Sequence, residues 1–279
     1  MILKRADFHT HSVFSDGMYT PDELCRRARF SGVEALSITD HDTMNGLEEK
    51  RTAAEKYGLT YIDGWEISAY DHGEKIHVLG YGCECGEAYQ RFMRVRIEAA
   101  WARAEERIAK LNFIGVPVTK EDVLACQADK TSPLHTMHVA RAATKYLDMT
   151  EGEVYVRYLG RGKAAESTIG RPSPIEAIDC IHASGGVAVL AHPGRIRLQE
   201  EEKEALILSL RERGLDGIEC YYSTHTPLQT EEYLSIANRL GLLVSGGSDT
   251  HWEDGSRSFG SPVFYASEEL IACLKGGKR

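Results

Sequence analysis

Two histidines stand two residues apart in "DFHTHSVFSDG", just past an apolar run and ahead of an aspartate. One such pair could arise by chance, so the question is whether similar residues recur at similar places along the chain. Residues of the same kind recur after other apolar runs. His41 sits in "SITDHDT", Glu66 in "DGWEIS", His77 in "IHVLGYG", His192 in "VLAHPGRI", and Asp249 and His251 in "SGGSDTH". Six of the eleven histidines follow or lie within short β-type runs in this way. Six neutral imidazoles with Asp16, Glu66 and Asp249 make a nitrogen and oxygen donor set too large for one tetrahedral ion. The set suits two or three divalent ions sharing a carboxylate, and without cysteine donors it favours zinc, manganese or iron. His77 is the weakest member taken singly, because it falls mid-strand. His72, His135, His138, His182 and His225 lack this setting, and His182 reads as structural.

The elements that must carry these residues are short. Strands are expected near Arg5–His9, Ala35–Thr39, Leu59–Trp65, Lys75–Gly82, Val187–Ala191, Gly217–Tyr221, Leu242–Ser245 and Pro262–Tyr265. Helices between them start on capping signals, as in Thr20-Pro21-Asp22-Glu23, Ser173-Pro174-Ile175-Glu176 and Thr226-Pro227-Leu228-Gln229. Alternating strands and helices imply an α/β fold on a parallel sheet or barrel, and a parallel barrel builds its site at strand C-terminal ends. The stretch 87–171 differs. It shows no convincing strand, and Met93, Ile97, Trp101, Ala104, Ile108 and Leu111 step by three or four as on an amphipathic helix. It reads as a helical insertion between barrel parts 1–86 and 172–279. Its basic residues, among them Arg141, Arg157, Arg161, Lys163 and Arg171, face either solvent or a substrate.

Composition narrows the class. The chain has 279 residues, 42% hydrophobic and 27% charged, as in an ordinary globular protein. No apolar stretch approaches the ~18 residues of a membrane helix, and the first residues do not form a secretory signal. Seven scattered cysteines fit a reducing cytoplasm better than a disulfide framework. Cys83-Glu84-Cys85 has no second pair to complete a metal site and reads as a loop. A net charge of -9 argues against wrapping long nucleic acid, while a small phosphorylated substrate held by ions remains compatible. Gly160-Arg161-Gly162-Lys163 is not a phosphate-binding P-loop, because Ala164 follows where Ser or Thr is needed.

Taken in order, these motifs resemble the PHP family, the polymerase-and-histidinol-phosphatase metal-dependent phosphoesterases, and most closely its nucleotide-phosphatase-like subgroup with a helical insertion. The resemblance implies a distorted seven-stranded (β/α) barrel with a trinuclear metal centre at its strand ends. It places one ion on His9, His11, Glu66 and Asp249, a second on His77, His192 and Glu66, and a third on Asp16, His41 and His251. It also implies hydrolysis of a phosphate ester by a hydroxide bridging two ions. A positive side chain would stabilise charge on the phosphoryl oxygens. Arg195, three residues after His192, is the candidate for that role, against a surface ion pair with Glu200 or Glu201. His225 is a candidate for contacting phosphate or protonating the leaving oxygen. Asp40 and Asp42 are expected to orient ligands or cap a turn. One departure bears on substrate. Nucleotide phosphatases of the family usually carry Arg-Pro-His where this chain has Thr136-Met137-His138. A sugar phosphate, including a cyclic phosphate, therefore stands beside a nucleotide as substrate. The competing readings are an exonuclease on short oligonucleotides, a noncatalytic metal-binding barrel, and a C–N hydrolase, which would call for a carbamate lysine after a strand. No such lysine is found. Oligomeric state is not legible.

Overall fold

A computed structural model describes residues 2–71, 73–127, 133–252 and 257–276. His72 lies outside them. The chain opens with β1 (Leu3–Asp7), α1 (Pro21–Phe30), β2 (Ala35–Leu36), α2 (Leu47–Lys56), β3 (Thr60–Tyr61) and the hairpin β4 (Gly64–Asp71) and β5 (Glu74–Tyr81). The helices α3 (Glu87–Phe113), α4 (Lys120–Ala125), α5 (Thr136–Ala143) and α6 (Glu151–Val154) follow, ending in a π-helical turn over Tyr155–Leu159. Then come α7 (Pro174–Ala183), β6 (Val187–Leu190), α8 (Glu200–Glu212), β7 (Gly217–Tyr222), α9 (Pro227–Leu240), β8 (Leu243–Gly247), β9 (Phe264–Ser267) and α10 (Glu268–Leu274). The caps read from sequence form as written. Thr20, Ser173 and Thr226 each accept a hydrogen bond from the third residue of the helix they open, and proline follows each.

The strands form two sheets, β3-β2-β1-β9 and β4-β5-β6-β7-β8, in place of one closed seven-stranded barrel. β1, β2 and β3 run parallel, as do β6, β7 and β8, whereas β4, β5 and β6 are antiparallel to one another in turn and β9 is antiparallel to β1. The stretch expected as a single strand over Leu59–Trp65 divides. The Ile62 amide still bonds Leu36 O beside β2, while Asp63 O accepts from the Gly82 amide, so the chain changes partners between them. Glu66 consequently lies near the start of β4 rather than at a strand end. Two seams join the sheets. The Phe8 amide donates to Gly246 O at 3.0 Å with Thr10 bridged to Thr250, and His41 is bridged to Glu66.

Strand alternation explains where the polar residues go. On β4 and β5, Trp65, Ile67, Ile76 and Val78 join the core under the outer helices, each buried side chain contributing roughly 1.5–3 kcal/mol. The other face lies between the sheets. There Leu79 and Tyr81 pack with Phe8, Val189 and Phe264, and beyond them the same face carries His77, Lys75, Glu66 and Ser68. One continuous interior thus passes from apolar to ionisable. The stretch from α3 to the π-helical turn has no strand among the described residues and packs its own core around Ala104, Leu111, Val123, Val139 and Leu159.

Candidate metal centre

Glu66 is fully buried and meets five imidazoles. Its Oε2 lies 3.3 Å from His9 Nε2, 3.4 Å from His11 Nε2 and 2.9 Å from His41 Nδ1. Its Oε1 lies 2.6 Å from His77 Nδ1 and 3.0 Å from His192 Nε2. Asp249 Oδ1 stands 3.1 Å from His11 Nε2, and Asp16 Oδ1 stands 3.2 Å from His251 Nε2. The His11 ring stacks between those of His41 and His251, with centroids at 4.3 and 4.1 Å. All nine candidate ligands therefore gather in one place.

The donors fit cations. Three groups have ligand atoms within 4.8 Å of one another: His9, His11, Glu66 and Asp249; His11, Asp16, His41 and His251; and His41, Glu66 and His77. His192 stands outside these groups yet reaches the same Glu66 oxygen as His77. Buried donor atoms in the cluster, among them His9 Nε2, both His11 nitrogens, Asp16 Oδ1, Glu66 Oε2 and His77 Nε2, have no hydrogen-bond partner. Buried polar atoms left so carry a desolvation penalty that a shared cation would offset. Burial would raise the Glu66 carboxyl, but the imidazoles of His77, His41 and His9 outweigh it and hold it well below the usual range. Burial and the neighbouring His251 and His41 push His11 down to about 3. Cys83 and Cys85 join no such group among the described residues.

A further ring of contacts fixes the ligands. Glu219 Oε1 lies 2.9 Å from His9 Nδ1, which turns Nε2 toward Glu66, and Glu219 Oε2 accepts from the His192 amide at 2.7 Å. Sequence reading passed over Glu219, although a carboxylate inside the apolar run "GIECYY" was its signal. Asp40 accepts from the Ser12 amide, the Ser12 hydroxyl and the Ser15 hydroxyl, each at 2.7 Å, and so ties down the loop bearing His11 and Asp16. Asp42 accepts from the Ser68 amide at 2.8 Å. Asp42, His192 and Asp249 all hold positive φ (53°, 28° and 53°), a strain that side chains avoid unless the site requires it. Two glycines permit close approach: a Cβ on Gly17 would sit 2.2 Å from His11 O, and one on Gly247 would sit 2.3 Å from His9 Cβ.

The cluster opens into a cavity of about 370 Å³. Arg195 lies on its wall, its Nη1 donating to Asp249 Oδ2 at 3.1 Å and to the Tyr222 hydroxyl at 3.2 Å. Arg257 grips the same Asp249 and Tyr222. Glu200, the alternative partner for Arg195, pairs instead with Lys203. His225 departs from the expected contact with substrate. Its Nε2 accepts from the Gly194 amide at 3.1 Å and its Nδ1 bonds Cys220 O at 3.0 Å. Both ring nitrogens are spent on backbone, so His225 holds the turn that presents Arg195. The insertion supplies Met137, Tyr155, Arg171 and His135 to the cavity. His135 was not singled out from sequence. It caps α5, its ring lies 6.1 Å from that of His41, and its buried Nε2 is without a hydrogen-bond partner. Among the other basic residues of the insertion, Arg141 pairs with Glu151 and Arg161 with Glu74. Lys75 projects from β5 into the cavity. Arg171 and Arg195 face the same space.

Comparison with known proteins agrees with this geometry. The chain is 32% identical over 258 residues to a 5'-3' exoribonuclease of Haemophilus influenzae, covering 91% of this chain and 92% of the relative. It is 32% identical over 254 residues to a phosphoribosyl 1,2-cyclic phosphate 1,2-diphosphodiesterase of Eggerthella lenta, covering 89% and 95%. A solved structure from Bifidobacterium adolescentis, described as a candidate metal-dependent phosphoesterase, superposes with a TM-score of 0.86 at 30% identity, over 98% of this chain and 96% of that one. The PHP domain model matches residues 7–206, which takes in every ligand candidate from His9 to His192. This chain therefore belongs to the PHP family and is a metal-dependent phosphoesterase.

Proposed function

We propose that the protein hydrolyses phosphate ester bonds of a small phosphorylated metabolite, a nucleotide or a sugar phosphate, cyclic phosphates included. In this reading His9, His11, Asp16, His41, Glu66, His77, His192, Asp249 and His251 hold two to three divalent ions, manganese, iron or zinc. The observation that carries it is the single buried carboxylate of Glu66 in contact with five imidazoles. Bound divalent ions supply Lewis acidity toward the phosphoryl oxygens and acidify water. The chain's own residues do the rest. Arg195 offers a charged fork beside Asp249 to the phosphoryl oxygens. Tyr222 and Arg257 fix Asp249, and Glu219 fixes the tautomer and direction of His9. The helical insertion 87–171 walls the cavity and selects the leaving group, with Met137 and Tyr155 on its apolar side.

A second reading, trimming of short oligonucleotides, draws support from the similarity to an exoribonuclease. A noncatalytic barrel is disfavoured because all nine donors are present and convergent. No helix of the described residues is long and apolar enough to cross a membrane, and all seven cysteines are free thiols, which supports placement in the cytoplasm. The test is a phosphate-release screen with manganese across nucleotides, sugar phosphates, cyclic phosphates and a short oligonucleotide. Release from one of the first three classes is expected. Release from the oligonucleotide alone selects the second reading, and release from none overturns both.

A further inference from the structure

His135 is the N-cap of α5 and belongs to the part of the cavity wall that the insertion supplies. Leu134 before it and Val139 and Ala140 after it sit in the core of the insertion and hold it in place. The residue is 8% exposed, and its ring lies 6.1 Å from that of His41. It joins none of the three donor groups found among the described residues.

The cap fixes where the ring proton sits. The His135 amide donates to His138 Nδ1 at 3.1 Å, and the His138 amide donates in return to the His135 side chain. His135 Nε2 has no hydrogen-bond partner among the described residues, so the accepting nitrogen is Nδ1. A ring nitrogen that accepts carries no proton. His135 is therefore neutral with its hydrogen on Nε2, which makes that atom a hydrogen-bond donor and removes it as a metal donor. A buried N–H without a partner costs free energy that a bound acceptor recovers. Neutral imidazoles serve catalysis in this way where an oxygen gains charge.

Arg195 and His135 reach the ligand cluster at different members. Arg195 bonds Asp249, while His135 stands beside His41. Between them lies His11, stacked on His41 and 3.1 Å from Asp249. An ester held across the cluster meets a charged fork at one end and an uncharged donor at the other. The charge suits the phosphoryl oxygens. The neutral donor comes from the insertion, on the side given to the leaving group.

We propose that His135 is a catalytic residue that donates a hydrogen bond from Nε2 to the leaving oxygen of the phosphate ester. The inference rests on the phosphoesterase reading above. In the reaction the oxygen of one water joins phosphorus and keeps one proton. The bond from phosphorus to the leaving group breaks, and its electron pair stays on the departing oxygen, which takes the water's other proton. His135 keeps its own proton and steadies the charge until that transfer is complete.

The experiment compares wild type, His135→Asn and His135→Gln, each loaded with manganese, on adenosine 5'-monophosphate, ribose 5-phosphate and 4-nitrophenyl phosphate. The first two expel an alkoxide, and the third expels a phenolate that needs no such help. Asparagine keeps a good helix cap but is too short to donate from the Nε2 position, whereas glutamine carries an amide nitrogen to about that reach. His135→Asn should lower kcat about 10–100-fold on the alkyl ester that the wild type turns over best, with KM little changed. On 4-nitrophenyl phosphate the loss should stay below about threefold. His135→Gln should recover a good part of the loss, and bound manganese should be equal in all three proteins. Equal losses on both kinds of ester, no loss on either, or wild-type turnover of 4-nitrophenyl phosphate alone overturns the proposal. Loss of manganese from His135→Asn overturns it too, because the residue would then be a ligand. Nitrogen-15 NMR of the metal-free wild type adds a readout independent of turnover, with the His135 signal assigned by its absence from His135→Gln. A neutral ring protonated at Nε2 supports the proposal, and a proton on Nδ1 at neutral pH overturns it. A wild type that hydrolyses none of the three esters overturns the phosphoesterase reading itself, whereas an active wild type with unselective variants removes only the role of His135.

Discussion

The Lys50 ammonium lies 2.6 Å from Asp40 Oδ2, and both side chains are wholly removed from solvent. Burial alone would raise the Asp40 carboxyl, but Lys50 and the hydroxyl of Ser15 outweigh it and hold it below its ordinary value. Removing one partner strands the other charge. Lys50→Met should therefore destabilise the fold by roughly 3–5 kcal/mol. Denaturant unfolding of the variant against wild type checks this, and a loss under ~1 kcal/mol would show that the pair is not holding the loop.

Glu219 touches no candidate ion position yet directs His9 and the His192 amide. Glu219→Gln should weaken metal binding or activity by ~10–100-fold with the fold retained. Metal titration followed by circular dichroism separates the two effects.

Glu66 belongs to two of the three donor groups. Glu66→Gln should cut bound metal, read by elemental analysis, and lower turnover at least ~10²-fold. Chelation of the wild type should remove activity, and added manganese should restore it. Full activity in a metal-free preparation would sink the proposed chemistry.

Arg195 presents a fork rather than a point charge. Arg195→Ala should lower kcat/KM by ~10²–10³-fold, and Arg195→Lys should recover only part of it, since an ammonium cannot make two parallel contacts. Substitution at His225 should act more mildly and through Arg195, because its ring nitrogens contact only backbone.

Acid should expose a separate weak point in the insertion. The ammonium of Lys145, the Tyr146 hydroxyl and the Thr119 amide hold the Asp122 carboxyl below its ordinary range. A carboxylate depressed by folding stabilises above its unfolded pKa of ~3.9, and that contribution fades as pH falls below it. The Tm gap between wild type and Asp122→Asn should be widest near neutral pH and should shrink steadily below pH ~4. A gap that stays constant with pH would assign the effect to hydrogen bonding alone.

Much of the candidate site was legible because its chemistry is local. His9 with His11, Asp249 with His251, and Ala191-His192-Pro193 each advertise themselves within a few residues, and the helix caps do the same. The rest depends on long-range pairing. Nothing near Asp63 signals that the chain leaves β2 for β5, so one expected strand became two, and the expected barrel became two sheets joined at seams. His135 could not be singled out because its place beside His41 is set by how α5 docks, across more than ninety residues. His225 carried the right residue type in the right region, but only its backbone partners reveal what it does.

The seam between β1 and β8 brings His9 and His11 against Asp249, from opposite ends of the sequence. During synthesis on the ribosome, the first histidines emerge long before the aspartate that completes their group. No partial product that stops short of His251 can hold all nine donors. The full set of donors thus arrives late, when the last strand of the larger sheet closes against the first strand made.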